Sequence, residues 1–141
     1  MSFLLDTDVL SEWVKPRPDA GVVAWLAAVD EDQVFLSVIS FAELRRGVEL
    51  LPGGDRRERL ANWIADDLTT RFHGRVLEVD RRVADAWGEM MSRSQRAGRA
   101  LGAMDGFFAA TARSHDLTLV TRNTRDFERL GLDLHDPWAA G

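Results

Sequence analysis

Short, fully apolar runs alternate along the chain with longer stretches in which apolar residues recur every three to four positions. The runs read as buried strands, and the stretches as helices with one face turned inward. Phe3 to Leu5 is the first strand, and Thr7 to Val14 the first helix, stopped by Pro16 and Pro18. Val22, Val23, Leu26 and Val29 give a second helical face, followed by a strand over Val34 to Ser37. Phe41, Leu44, Val48 and Leu51 carry helical spacing up to Pro52 and Gly53. From Asp55 to Phe72, Leu60, Trp63, Ile64, Leu68 and Phe72 predict one helix closed by Gly74. Arg75 to Val79 is a third strand, and Asp80 caps a helix with the face Val83, Ala84, Trp87, Met90 and Met91. Gly98 and Gly102 bracket a loop. Ala103 to Ser114 is apolar on nearly all sides, as a helix enclosed by its neighbours would be. A fourth strand over Leu117 to Thr121, a short helix near Asp126 and an edge strand over Leu132 to Leu134 complete the pattern.

Strands alternating with helices predict an α/β fold with a central parallel sheet of four to five strands, and ligand sites beyond the carboxyl ends of the strands. The chain has 141 residues, enough for one domain, 1–141, with a real core, and no internal repeat or linker divides it. No apolar run approaches the roughly 20 residues that cross a bilayer. MSFLLDTDVL lacks a basic start and a long apolar segment, so neither a signal peptide nor a membrane association is expected. Zero cysteines exclude disulfides and thiolate metal sites, and His73, His115 and His135 form no zinc spacing. A metal would have to be held by oxygen.

Against this background the apolar stretches break into polar residues at four places: Asp6, Glu43, Asp105, and Asn123 with Asp126. Asp6, Glu43, Asn123 and Asp126 follow strands or lie on the helix leaving one. Asp105 instead sits near the start of the buried helix, where backbone N–H groups also favour an anion. Each residue has an ordinary structural role open to it. Asp6 or Asp8 can cap a helix, Glu43 can be a polar position on a half-exposed helix, and Asp105 and Asp126 can cap theirs. Asn123 suits a turn. Several carboxylates converging in apolar surroundings point instead to a divalent metal. The net charge of −5 argues against a nucleic-acid partner only if those acids stay uncompensated.

The order LLDTDVLSE, then S-x-I-S-x-x-E-L-R-x-G, then M-D-x-x-x-A-A-x-A, then LVTRN-x-x-DF resembles PIN-domain ribonucleases, especially VapC-type toxins and their FitB-like relatives. The resemblance covers essentially the whole chain. It implies a three-layer α/β/α fold and a Mg²⁺- or Mn²⁺-dependent site that hydrolyses RNA to 5′-phosphate and 3′-hydroxyl ends. By motif position it makes Asp6, Glu43 and Asp105 the core acids and metal ligands. Many PIN domains have Asp where this chain has Asn123, so Asn123 matches by position and Asp126 by charge. Asp8 stands where Asn is common. Thr7, Ser40 and Thr121 are candidates to hydrogen-bond the carboxylates. Arg122 and Arg125, and less directly Arg93, Arg96 and Arg99, are candidates for RNA phosphates. The resemblance also implies a cytoplasmic protein, a VapB-like antitoxin, a homodimer and a toxin–antitoxin hetero-oligomer. Two other readings remain: a PIN-like domain that binds without cutting, and a haloacid-dehalogenase-type phosphatase with Asp6 as nucleophile. The phosphatase needs a downstream lysine and a later acid pair, for which the chain offers only Lys15 and Asp66-Asp67.

Overall fold

A computed structural model describes residues 1–138. Five parallel strands form its sheet: β1 (Phe3–Leu5), β2 (Val34–Ser37), β3 (Val76–Leu77), β4 (Thr118–Val120) and β5 (Leu134–His135). Their order is β3-β2-β1-β4-β5, with Leu4 opposite both Phe35 and Leu119. The chain builds outward from β1 to one side and then, from β4, to the other. The order therefore reverses between β1 and β4, which is where a doubly wound sheet opens a crevice at its carboxyl edge.

Side-chain alternation along each strand creates two cores. Leu4, Phe35, Leu77, Leu119 and Leu134 face one, which is completed by α6 (Arg81–Arg96), α7 (Ala103–Ser114) and α8 (Thr124–Phe127). Leu5, Val34, Leu36, Val76 and Val120 face the other, against α1 (Thr7–Glu12), α2 (Ala20–Ala28) and the helical segment that precedes β3. The result is the three-layer α/β/α arrangement. Between β2 and α4 (Asp55–Asn62) runs α3 (Val38–Glu49), whose Ile39 packs into the first core and whose Phe41 and Leu44 pack into the second.

Several element boundaries differ from the sequence expectation, each for a local reason. The first helix ends at Glu12 and not at Val14. The Glu12 carboxylate is buried and accepts hydrogen bonds from Lys15 Nζ at 2.7 Å and the Asp19 backbone N–H at 3.0 Å, which folds the proline loop back early. The long helix before β3 contains a wide, π-type turn over Trp63–Leu68 between α4 and α5 (Thr69–Arg71). It still delivers Leu68 and Phe72 to the core. The last strand is shifted to Leu134–His135, paired with Leu119 and Val120. Leu132 and Leu134 share one face by period-two spacing, so both pack on the core although only Leu134 lies in the ladder. Val23 lies on the outer side of α2 and is 44% exposed.

Close backbone contact fixes α2 against the C-terminal segment. A Cβ on Gly21 would lie 2.5 Å from the Pro137 carbonyl oxygen, and backbone cannot step aside as a flexible side chain can. Gly21→Ala is expected to cost about 1–3 kcal/mol in urea denaturation. Gly88, within α6, has nothing within 4 Å of its would-be Cβ. There Ala should stabilise, by about 0.5–1 kcal/mol. An equal response at the two positions would contradict the packing described.

Candidate active site

Asp6 leaves β1 at the reversal point, its backbone N–H donating to Val120 O of β4 at 2.9 Å. It occupies the position before α1, yet its side chain makes no capping hydrogen bond. Its carboxylate turns across the crevice and accepts the Thr121 hydroxyl at 2.7 Å. Only 7% of Asp6 is exposed. Burial is the main reason its pKa is pushed up to about 6, with the charges of Asp8 and Asp105 adding to it and the Thr121 hydrogen bond opposing it.

Asp105 is in the first turn of α7, half-buried. Its pKa is also raised, first by burial and then by the charges of Asp126, Glu43 and Asp8. Asp105 thus feels the charges of Glu43, Asp8 and Asp126, while Asp6 feels those of Asp8 and Asp105, which gathers these carboxylates at one edge of the sheet. Asp8, exposed in the first turn of α1, was not among the acids that the sequence marks as ligands. The sequence offered it as a helix cap and, by resemblance, as an acid standing where Asn is common.

The hydroxyl groups around the acids are oriented. Thr7 donates to Glu43 Oε1 at 2.6 Å, and its oxygen lies 3.0 Å from the fully buried Ser40 hydroxyl. Thr121 both donates to Asp6 and accepts the Asn123 backbone N–H at 3.1 Å. Asn123 therefore connects to the site through its main chain, and its exposed side chain makes no cap for α8. Asp126 reaches the site through its charge on Asp105. Arg122 lies over the Trp138 ring at 5.4 Å, and Arg125 lines a cavity beside Asp126. A larger groove, of about 720 Å³, opens from Thr7 and Glu43 and is lined by Leu44, Val48, Leu60 and Trp63.

Other candidate groups lie elsewhere. Lys15 is held by Glu12 at 2.7 Å and Asp66-Asp67 lies in the wide turn, so no lysine and acid pair attends Asp6 as a phosphatase would require. His135 packs against Trp25 with ring centroids 5.3 Å apart, its buried Nε2 without a hydrogen-bond partner among the described residues.

The sequence matches the PIN domain over residues 3–132. The chain belongs to the PIN-domain family. It is 38% identical over 135 residues to the VapC ribonuclease Y4jK of Sinorhizobium fredii, covering 96% of each chain. It is 39% identical to Toxin FitB of Neisseria gonorrhoeae, covering 96% of this chain and 97% of that one. The crystal structure of FitAcB from Neisseria gonorrhoeae superposes with a TM-score of 0.91 at 39% identity, covering 97% of this chain and 99% of that one.

PIN-domain nucleases generally need a divalent metal. The donor set of this PIN domain fits one. It is all oxygen and anionic, and burial with neighbouring negative charge raises the pKa of both Asp6 and Asp105, so that a cation beside them would relieve both burial and repulsion. Among the described residues no three of these side chains form a common ligating group. Thr7 holds Glu43, and Thr121 holds Asp6.

Proposed function

We propose that this PIN-domain protein is a Mg²⁺- or Mn²⁺-dependent endoribonuclease and the toxin of a type II toxin–antitoxin pair. The observation that carries the reading is the buried Asp6, with a pKa near 6, set among Asp105, Glu43, Asp8 and Asp126 at the reversal point of the sheet. Its kinship with a VapC ribonuclease and a FitB toxin gives the acids their task.

Asp6 and Asp105 would hold the cation directly, with Glu43 as a further ligand or as the group orienting the attacking water. When bound, the cation supplies Lewis-acid polarisation of the phosphodiester and acidification of that water. Thr7 fixes the Glu43 carboxylate, and Ser40 supports Thr7 from the buried side. Thr121 holds the Asp6 carboxylate across the crevice and ties it to Asn123, which leads into α8 and Asp126. With water as nucleophile and the ribose 2′-OH a bystander, the products carry 5′-phosphate and 3′-hydroxyl ends. Arg125 is placed to meet an RNA phosphate; Arg122 would do so only by leaving Trp138.

A VapB-like antitoxin would lie along the apolar groove beside Glu43 and present a cation or aromatic group to the acids. A homodimer, and a hetero-oligomer with the antitoxin, complete the proposed assembly. A cytoplasmic site of action follows from an RNA substrate, and no described helix is long and apolar enough to cross a membrane.

The experiment is a comparison of substrates in Mg²⁺ and Mn²⁺: single-stranded RNA, single-stranded DNA and a small phosphomonoester. RNA cleavage is expected. Turnover of the phosphomonoester alone, or RNA binding without cleavage in either metal, would replace this reading with one of the two set out from the sequence. Thr121→Val removes the hydroxyl donor to Asp6 while keeping shape. It should lower kcat about tenfold. Because that hydrogen bond lowers the Asp6 pKa in the protein without metal, its loss should also move the Asp6 titration, followed by NMR in EDTA, to higher pH. A tenfold loss with no such movement would show Thr121 acting in some other way.

A further inference from the structure

Arg99, in the connection between α6 and α7, comes together with Arg125 and Arg129 around one cavity of about 220 Å³, shared with Ser94 and Asp126. The walls are set by backbone contacts: Arg99 N–H donates to Ser94 O at 2.9 Å, and Leu130 N–H to Phe127 O at 3.0 Å, with Phe127 fully buried beneath. Among the described residues none of these arginines is in an ion pair. Arg93, earlier on α6, is instead held by Glu89 at 2.7 Å. Three arginines around one cavity carry more positive charge than the single Asp126 carboxylate there offsets, and their planar forks match phosphate or carboxylate oxygens.

Asp126 decides what kind of anion. It lines this cavity and its charge is felt at Asp105, so the cavity lies beside the acid cluster. A strand crossing the acids has this cavity as its neighbour. We propose that Arg99, Arg125 and Arg129 form a subsite for a non-scissile phosphate of the RNA strand, next to the bond that is cut. This rests on the ribonuclease reading, adds Arg129 to the substrate-binding residues and joins Arg99 and Arg125 with it in one subsite.

The test is equilibrium binding of a single-stranded RNA oligonucleotide in EDTA, so that no strand is cut, measured by fluorescence anisotropy across a range of salt. Wild type is compared with Arg99→Gln, Arg129→Gln and Arg93→Gln, each of which removes one exposed charge. Arg99→Gln and Arg129→Gln are expected to weaken binding about fivefold each and to flatten the log–log salt dependence by about 0.7, the slope of one single-strand phosphate contact. Arg93, which the sequence offers for RNA phosphates, does not line the cavity and is engaged by Glu89, so Arg93→Gln measures the effect of net charge alone and should do neither. In Mg²⁺, the loss at Arg99 and Arg129 should fall in KM. If the two cavity variants do no more than Arg93→Gln, the subsite is overturned. It is equally overturned if they weaken binding of a glutamate-rich peptide and leave RNA binding untouched. If the two cavity variants show the slope change but wild type never cuts RNA, the ribonuclease reading is overturned and the RNA-phosphate site is left standing.

Discussion

Asp6→Asn is expected to abolish RNA cleavage and, in the absence of metal, to make the protein more stable. The two effects share one cause. Asp6 is 7% exposed and its pKa is pushed up to about 6, so keeping it ionised at neutral pH works against folding. Relative to the ordinary 3.8, that shift corresponds to about 3 kcal/mol at neutral pH. Asparagine keeps the shape and an oxygen that can accept the Thr121 hydroxyl, and it carries no charge. It is also a poor ligand for a hard cation. Losing several kcal/mol of transition-state stabilisation is a drop of about a thousandfold. Asp105→Asn should lose cleavage to a similar extent with a smaller gain in stability, because Asp105 is only half-buried. Cleavage assays beside melting curves in EDTA check both halves. An Asp6→Asn protein that is inactive but less stable would indicate that the carboxylate holds the fold together and that its loss of function is secondary.

The second large effect is the dependence of melting temperature on pH and divalent cation. A carboxylate whose folded pKa is raised takes up a proton on folding. Its favourable contribution is present below pH 3.8 and fades as pH rises through about 6. Glu12 has the opposite sign. The Lys15 hydrogen bond, ahead of burial, leaves its pKa lowered, so its contribution is present above the usual carboxylate range and fades on acidification. Subtracting the wild-type curve from that of Asp6→Asn isolates Asp6: the difference should be near zero at pH 4 and grow to its full size by pH 7. Adding Mn²⁺ at a hundred times its Kd should restore about 2.7 kcal/mol to wild type at neutral pH, or roughly 8 °C for a chain of this size. Asp6→Asn should gain little. An equal shift in both proteins would place the cation away from Asp6.

The strands were legible because β1, β2 and β4 are short and continuously apolar, and being covered by helices on both faces leaves no polar side to confuse the pattern. The wide turn at Trp63–Leu68 was not legible, since the apolar spacing of Leu60, Ile64 and Leu68 suits an ordinary helix equally well. Asp6, Glu43 and Asp105 stood out as polar breaks in apolar runs, a signal that burial itself generates. Asp8 gave no such signal because it is exposed, and what it does to Asp6 and Asp105 arises from proximity. Which partners Thr7 and Thr121 take depends on rotamers across the crevice. Arg99 and Arg129 come from different elements, and only the packing of α8 beside the end of α6 joins them.

RNA hydrolysis by the acid cluster with the help of a divalent cation leaves a chemical signature in the ends of the fragments. Sequencing both ends of RNA fragments produced by wild type, Asp6→Asn and Asp105→Asn, with Mn²⁺ and with EDTA, tests it most directly. The expected ends are 5′-phosphate and 3′-hydroxyl, appearing only in wild type with the metal. Cyclic 2′,3′-phosphate ends, or fragments formed equally in EDTA or by both variants, would contradict it.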